Sequence, residues 1–238
     1  MTDFSTQNIW LNINKPVGIS SARVVAIVKR LTGAKKVGHG GTLDVMACGV
    51  LPIALNKATK TSQAMMDCHK KYAFRIGWGE FRDTDDAEGK IVGISQKRPK
   101  NSEIMAILPI FLGKIAQTPS KFSALKVNGK RAYNLARKGI DFELKSREIA
   151  IFSLKMTKND ENSADFEAKC SKGTYIRTLA HDICQKLGVC GYVSCLERLE
   201  VGDFTLKNAI SLEKVKMPKM LFLEKLPLYV FLQSTKKI

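Results

Sequence analysis

The stretch Lys36-Val37-Gly38-His39-Gly40-Gly41-Thr42-Leu43-Asp44 is rich in glycine and predicts a turn at residues 38–44. It lacks the Lys-Ser/Thr pair of a P-loop and the glycine spacing of a dinucleotide fingerprint. Asp44 is the first acid after Asp3. A carboxylate in positive surroundings stays ionised, as a nucleophile must. From the residues alone, this stretch is either a structural turn or a site built around Asp44.

The charge of the chain predicts a polyanionic partner. Lys and Arg number 39 against 22 acids, a formal net charge of +17. Scattered cations attract anionic membranes and nucleic acid alike, so the distribution is more informative than the total. Residues 4–43 hold six basic residues and no acid, and residues 121–147 hold eight basic residues and two acids. Two such blocks indicate a charged groove.

The cysteines and histidines give no sign of a metal site or a disulfide framework. None of the six cysteines forms a CxxC pair, and the three histidines match no zinc spacing. The chain opens with no signal segment, and no apolar run reaches the roughly 18 residues that span a bilayer. We therefore expect a cytoplasmic protein with reduced thiols that binds no membrane and no metal.

The first predicted helix follows a short strand at Leu11 and Ile13. Ser20 or Ser21 can cap this helix, and Gly33 stands at the usual stop position. Its apolar face is predicted to carry three residues: Val24, Val28 and Leu31.

Further along, the sequence predicts a half-buried strand, a hairpin and a second amphipathic helix. The strand alternates from Tyr72 to Trp78, and the Asn128-Gly129 pair predicts a tight turn. The helix follows from apolar residues at helical spacing: Ile176, Leu179, Ala180, Ile183 and Leu187.

Several side chains keep two interpretations at this point. Tyr72 is either a core aromatic or part of a site. Arg177 is either a surface cation or a cation with a partner, since its charge is unfavourable at a helix start. Tyr175 shares that strand-to-helix junction, where functional side chains are often placed. His39 is a turn residue, a phosphate contact or a base contact.

Taken together, four separated blocks resemble the TruB family of tRNA pseudouridine synthases. The resemblance runs from Leu11 to Phe204, and the blocks occur in the order that the family has. Several long blocks in order make a chance similarity improbable. The blocks are residues 15–21; 36–44 with 49–52 and 58–60; 71–72 with 83–89 and 122–133; and 171–180 with 196–202.

The resemblance implies an α+β pseudouridine synthase fold, with a mixed, largely antiparallel sheet flanked by helices and an RNA-binding cleft. The catalytic domain would occupy residues 8–212, and a short basic segment without a PUA-type domain would occupy 213–238. The implied activity is isomerisation of uridine 55 in the TΨC loop of tRNA. A monomer would perform it on the TΨC arm, after base flipping, without a cofactor or metal.

By position, the resemblance assigns Asp44 as the catalytic aspartate and Tyr72 as the tyrosine that stacks on the base. Tyr175 matches a conserved tyrosine, and Arg177 matches the arginine that pairs with the aspartate. Five further residues form the substrate-binding set. In chain order, their roles are a support of the active-site loop, a contact to the flipped nucleotide, two loop positions and an apolar pocket position. These are Lys15, His39, Gly41, Thr42 and Leu196.

Three departures from the family pattern lie beside Asp44. Gly40 stands where the family usually has Thr, Val45 where Pro is common, and Cys48 where a small hydroxyl residue is usual. We expect these changes to affect loop rigidity and rate. They keep a second function open, that of a non-catalytic RNA-binding or tRNA-remodelling protein that retains the fold.

Overall fold

A computed structural model describes residues 4–212 and 214–216 of the chain. The predicted C-terminal segment, 213–238, lies outside the described residues apart from 214–216. The described chain divides into two compact units. The first contains the residues up to Lys71 and those from Glu197 onward, and the second is Tyr72–Leu196.

The described residues form β-strands and α-helices in a mixed order. The strands are β1 (Trp10–Lys15), β2 (Val37–His39), β3 (Cys48–Leu55), β4 (Lys70–Trp78), β5 (Glu80–Arg82), β6 (Ile91–Ile94), β7 (Gly113–Gln117), β8 (Lys126–Val127), β9 (Lys130–Arg131), β10 (Arg147–Asn159), β11 (Ser163–Cys170), β12 (Gly191–Val201), β13 (Phe204–Thr205) and β14 (Ile210–Ser211). The helices are α1 (Ser21–Thr32), α2 (Ser62–Asp67), α3 (Asn101–Ile107), α4 (Ala132–Arg137) and α5 (Ile176–Leu187).

The first unit is built on strands in the order β14-β1-β3-β12. The β14–β1 and β3–β12 pairs are parallel and the β1–β3 pair is antiparallel, with β2 added to β3 and β13 to β12. In one core cluster of this unit, the Trp10 ring lies among apolar side chains from several strands and a helix. Its buried members are Trp10, Val50, Ala54, Met65 and Val201.

The second unit has strands in the order β12-β4-β11-β10-β7, and β12 supplies residues 191–196 to it. The β11–β10 and β10–β7 pairs are antiparallel, and β5–β6 and β8–β9 are separate two-stranded hairpins. Phe74 and Phe166 stack in its core with ring centroids 5.3 Å apart. The predicted fold class, α+β with a mixed, largely antiparallel sheet flanked by helices, is confirmed.

Helix α1 begins and ends as its sequence predicts. The Ser20 side chain accepts a hydrogen bond from the Arg23 N–H, and Gly33 ends the helix in the left-handed conformation at φ 67°. The buried face differs by one residue, because Thr32 is buried while Leu31 is only half-buried. The Thr32 hydroxyl donates to the Val28 carbonyl at 2.8 Å, which satisfies it inside the core.

Two local turn predictions have different outcomes. The Asn128-Gly129 turn forms between β8 and β9, with both residues at positive φ. The predicted turn at 38–44 begins later, because Gly38 and His39 belong to β2 and pair with residues of β3. Long-range strand pairing therefore overrides the glycine content of that segment.

Candidate active site

The loop that carries Asp44 lies in the first unit, after β2 and before β3. Asp44 is half-buried, whereas its neighbour Leu43 is buried and Val45 is exposed. The Asp44 carbonyl accepts a hydrogen bond from the Ala47 N–H at 3.2 Å, which closes a turn. The carboxylate therefore belongs to a short turn between two buried residues, Leu43 and Ala47.

Lys15 supports this loop from β1. Its side chain is fully buried, and its ammonium donates to the carbonyls of Pro16 and Ile19 at 2.8 Å and of Val45 at 3.3 Å. The Gly18 N–H donates to the same Val45 carbonyl at 2.9 Å. Lys15 therefore contacts the loop next to Asp44, and its role as the support of an active-site loop stays a prediction.

A second support comes from the first residue of α1. The buried Ser21 hydroxyl donates to the Leu43 carbonyl and accepts from the Leu43 N–H, both at 2.9 Å. One hydroxyl thus satisfies both main-chain groups of the residue before Asp44. In the sequence Ser21 stands out only as a possible helix cap, because its pairing with Leu43 depends on a contact across 22 residues.

Arg198 of β12 is the third support, and sequence reasoning missed it. Its side chain is 1% exposed and donates to three main-chain carbonyls, those of Val50, Thr42 and Gly41. The strand periodicity was an available signal. Arg198 follows Leu196 by two residues in a strand, so the two side chains lie on the same, buried face. Gly41 and Thr42, predicted to bind substrate, thus have carbonyls occupied by Arg198.

His39 is held at the start of the loop. The Gly41 N–H donates to its Nδ1 at 3.3 Å, so this nitrogen is the acceptor and the ring proton of a neutral His39 lies on Nε2. Main-chain geometry therefore fixes the tautomer of the ring. Lys15, His39, Gly41, Thr42 and Asp44 are all brought together in the first unit.

Arg177 lies in the first turn of α5, in the second unit, and it is not a surface cation. It is 4% exposed, and its guanidinium lies 3.2 Å from the Asp86 carboxylate, which is equally buried. It also donates to the carbonyls of Thr84 at 3.1 Å and Phe122 at 3.0 Å. Asp86 explains how a cation is tolerated at a helix N-terminus.

Asp86 is itself fixed by its own loop. Its carboxylate accepts from the Thr84 hydroxyl at 2.6 Å and from the Glu88 N–H at 3.0 Å. The loop is attached to β12 because the Ala87 N–H donates to the Val193 carbonyl at 3.1 Å. In the sequence, residues 83–88 are a stretch with four acids, and nothing local in it singles out Asp86.

Tyr175 immediately precedes α5 and is clamped through its main chain. The buried Gln117 side chain accepts from the Tyr175 N–H at 2.8 Å and donates to its carbonyl at 3.1 Å. The Arg147 guanidinium lies 4.9 Å from the centroid of the Tyr175 ring and donates to the Gly173 carbonyl. Tyr175 is therefore oriented by a hydrogen-bonded amide and a cation–π contact.

The two remaining predicted residues of the second unit are both buried. Tyr72 lies on β4 and is 9% exposed, and Leu196 on β12 is 4% exposed. Burial of this degree suits an apolar wall. It leaves open which of the two interpretations of Tyr72 applies.

Near α5 a further histidine takes part in an ion pair. Nδ1 of His181 lies 2.9 Å from the Asp85 carboxylate, and this hydrogen bond raises the pKa of His181 above its usual value. Burial raises the pKa of Asp182. Because Asp85 adjoins Asp86, the His181 contact adds a second attachment of that loop to α5.

The three departures beside Asp44 have different settings. A Cβ on Gly40 would lie 2.3 Å from Cγ of Met65 and 3.2 Å from a ring atom of Trp10. The close packing of Met65 therefore leaves no room for a larger residue at position 40 unless the Met65 side chain moves. The Cys48 thiol lies 3.7 Å from the Glu197 carboxylate. The Val45 carbonyl is used by Lys15 and its side chain is exposed, so proline is not needed to fix it.

Each unit presents an exposed set of basic residues. In the first unit it comprises Arg23, Lys29, Arg30, Lys35 and Lys36, whereas Lys15 of the same sequence block is buried. In the second unit it comprises Lys121, Lys126, Lys130, Arg131, Arg137, Lys138 and Lys145, whereas Arg147 is half-buried. Both sets suit a polyanion with regularly spaced phosphates.

Among residues 4–212 and 214–216, no group of three or more His, Cys, Asp or Glu side chains is placed to hold a metal ion. In that same part of the chain, no helix combines the length and apolar character required to cross a membrane.

Comparison with known protein families identifies the class of enzyme to which this chain belongs. Residues 29–176 match the model of the TruB family pseudouridylate synthase N-terminal domain. Residues 177–227 match the tRNA pseudouridylate synthase B C-terminal domain. The chain therefore has the fold of a pseudouridylate synthase, an isomerase.

Individual relatives agree with this class. The chain is 47% identical over 236 residues to tRNA pseudouridine synthase B of Ehrlichia chaffeensis, covering 96% of this chain and 79% of the relative. It is 49% identical over 210 residues to the protein of that name in Ehrlichia ruminantium, covering 87% and 71%. The chain belongs to the TruB family of pseudouridylate synthases.

Solved structures support the fold. A structure titled "Crystal Structure of a Cbf5-Nop10-Gar1 Complex" matches with a TM-score of 0.70 at 28% identity, covering 88% of this chain and 54% of that one. An H/ACA RNP bound to a substrate RNA containing 2'-deoxyuridine matches with a TM-score of 0.68 at 25% identity, covering 93% and 57%. This chain thus spans just over half the length of those solved chains.

Proposed function

We propose that this chain converts uridine 55 in the TΨC loop of tRNA to pseudouridine, with Asp44 as the catalytic carboxylate. Its family makes the chain a tRNA pseudouridine synthase, and relatives of that name are 47% and 49% identical to it. The target position and the role of the aspartate are the new elements of the proposal. The observation that carries the role of the aspartate is the half-buried Asp44 on a loop held by Lys15, Ser21 and Arg198, whereas the target position is what the family resemblance implies.

The isomerisation moves one glycosidic bond without any net change in atoms. The bond from C1′ of the ribose to N1 of uracil breaks, the base turns, and C1′ bonds to C5. The proton on C5 then leaves and N1 gains a proton. The reaction needs a group that engages the nucleotide covalently or stabilises the separated sugar.

Asp44 suits either task, because a carboxylate is a nucleophile and also a fixed negative charge. A fixed loop adds to this, since a reactive group gains rate when it is held in the attacking geometry. The buried contacts of Leu43 and Ala47 on both sides of Asp44 provide such fixation. Sugar attack and base attack are both consistent with this position.

Three residues of the second unit have proposed supporting roles. Arg177, which already pairs with Asp86, is proposed to hold Asp44 in place by a further charge-assisted hydrogen bond. Tyr72 stacks on the flipped base and removes the C5 proton. Tyr175, clamped by Gln117 and stacked by Arg147, completes the aromatic surroundings of the base.

The exposed basic residues are proposed to bind the phosphates of the TΨC arm. A uridine in a folded tRNA loop must leave its stack to reach the carboxylate, so phosphate contacts and aromatic platforms are both required. His39, Gly41, Thr42, Lys15 and Leu196 are proposed to shape the pocket for the flipped nucleotide. A monomer acting in the cytoplasm is the simplest setting for this substrate.

Mapping of pseudouridine in an unmodified tRNA tests the proposal. The wild-type protein should place pseudouridine at position 55, and Asp44→Asn should yield none. Asp203→Asn, a change of another acid in the first unit, should leave product formation intact. Pseudouridine at a different position would overturn the proposed target, and unchanged product with Asp44→Asn would overturn the proposed catalyst. Binding without product in the wild type would support the non-catalytic alternative.

A further inference from the structure

Arg198 is a cation buried among neutral groups. It is 1% exposed, and its Nε donates to the Val50 carbonyl at 2.7 Å. Its two terminal nitrogens donate to the carbonyls of Thr42 and Gly41, both at 3.1 Å. All three acceptors are main-chain oxygens, so the guanidinium is held by hydrogen bonds to peptide dipoles.

The acceptors lie on both sides of Asp44 in the sequence. Gly41 and Thr42 precede the aspartate, and Val50 follows it after the turn. One planar guanidinium therefore ties the two ends of segment 41–50 to a single point. A planar fork with several donors can do this, whereas a single ammonium reaches fewer acceptors at fixed angles.

The main chain of Arg198 holds the same segment. It pairs with Gly49 in the parallel contact of β12 with β3. Gly49 has φ 104°, and a Cβ there would lie 2.3 Å from the Arg198 carbonyl oxygen. The approach is so close that the end of the segment has little freedom to shift along β12.

We infer that Arg198 is a positioning residue for the reaction, which fixes the Asp44 carboxylate by closing segment 41–50. This inference rests on the proposed role of Asp44. Burying a cation is costly compared with an apolar side chain of similar size. The gain that offsets this cost is the geometry of the segment, since no apolar side chain donates to three carbonyls.

Arg198 and Lys15 act on different parts of the loop. Lys15 binds the Val45 carbonyl, next to Asp44, together with carbonyls of its own turn. Arg198 binds only the ends of the segment. Loss of Arg198 should therefore let the whole segment move, while the exposed basic residues that are proposed to bind the tRNA phosphates stay in place.

Single-turnover kinetics at saturating unmodified tRNA test the inference on Arg198→Met and Arg198→Lys. Arg198→Met should slow pseudouridine formation about 100-fold, the scale of a misplaced reactive group. Arg198→Lys keeps the charge but reaches fewer carbonyls, so it should lose about 10-fold. The dissociation constant for tRNA should stay within about twofold of wild type, because the loss lies in the chemical step.

Val201→Ala is the matched control on the same strand. Val201 is fully buried in the core cluster, so its truncation lowers the melting temperature without removing a hydrogen bond of the segment. Its rate at saturating tRNA should stay within about twofold of wild type. If Arg198→Met does not fold, Arg198→Lys compared with Val201→Ala carries the test.

Two results would overturn the inference. One is a rate for the Arg198 variants that equals that of Val201→Ala, and the other is a loss that appears only in tRNA binding. Asp44→Asn is measured in the same assay, so that a failure of the positioning role of Arg198 can be told from a failure of the catalytic role of Asp44. An active Asp44→Asn refutes the catalytic role, whereas an inactive Asp44→Asn with fast Arg198 variants refutes the positioning role alone.

Discussion

The loop around Asp44 and the loop around Asp86 are each fixed by a buried arginine, but the acceptors differ. Arg198 donates to three neutral carbonyls in the first unit. Arg177 lies 3.2 Å from the Asp86 carboxylate in the second unit. Removing Arg198 leaves neutral acceptors, whereas removing Arg177 leaves a buried charge. Since a buried charge is far more costly to leave without a counter-charge, the two regions should respond differently to mutation.

The largest loss of stability is expected for Arg177→Met. The Asp86 carboxylate would stay buried with only the Thr84 hydroxyl and the Glu88 N–H to stabilise it. Breaking one side of a buried ion pair typically costs about 3–5 kcal/mol. Urea unfolding followed by tryptophan fluorescence measures the free energy of unfolding.

The double variant Arg177→Met with Asp86→Asn is the control for that prediction. It removes the orphaned charge, so it should regain part of the lost stability. Losses that simply add in the double variant would mean that the two charges do not interact, and the contrast between the two loops would fail.

A smaller loss is expected at two glycines of the first unit. A Cβ on Gly49 would lie 2.3 Å from a main-chain oxygen of Arg198 at φ 104°, so Gly49→Ala should cost about 3 kcal/mol. A Cβ on Gly40 would lie equally close to Met65, whose flexible side chain can move, so Gly40→Ala should cost about 1 kcal/mol. Thermal unfolding of both variants tests the order.

The control for these two predictions is to make Gly40→Ala and Gly49→Ala again in a protein that carries Met65→Ala. It removes the Cγ atom that a Cβ on Gly40 would meet at 2.3 Å, so Gly40→Ala should cost less there, while Gly49→Ala should cost as much as before. An equal cost of both glycine changes in this background would contradict the assigned contacts.

The smallest expected effect is a pH dependence of stability that arises from the His181–Asp85 pair, next to the Asp86 loop. The pKa of His181 is raised by its hydrogen bond to Asp85, so the folded protein binds this proton more tightly than the unfolded chain. The stabilisation is fully present below pH 6.5, the ordinary value, and is lost as pH rises through the raised pKa. Because the pair is partly exposed, it should amount to less than about 1 kcal/mol.

His181→Gln tests this assignment, because glutamine keeps a donor for Asp85 and does not titrate. The free energy of unfolding of the wild type, relative to the variant, should fall as the pH rises above 6.5 and through the raised pKa of His181. A constant difference across that range would show that the pair makes no titrating contribution.

Local features of the fold were predictable from the sequence. The Ser20 cap, the Gly33 stop and the Asn128-Gly129 turn depend on backbone preferences within a few residues, and all three are confirmed. The α5 helix is confirmed at Ile176–Leu187 for the same reason, since its apolar periodicity is strong.

Features that depend on distant residues were not predictable. The burial of Thr32 in place of Leu31 depends on what packs against α1. Arg198 reaches carbonyls 148 to 157 residues away, and Arg177 meets Asp86 from another part of the chain. Such contacts become visible only when the strands are paired. The catalytic roles of Asp44, Tyr72 and Tyr175 stay predictions, since they come from the family resemblance.

The central claim is that a rigidly held Asp44 carboxylate performs the isomerisation. Single-turnover formation of pseudouridine by Asp44→Asn and Asp44→Glu, at saturating unmodified tRNA, tests it most directly. Asn removes the charge, and Glu keeps it but moves it by one methylene on a loop that is not free to adjust. We predict no product with Asp44→Asn and at least about a 100-fold slower reaction with Asp44→Glu, both with unchanged tRNA binding. Wild-type rates in either variant would contradict the account.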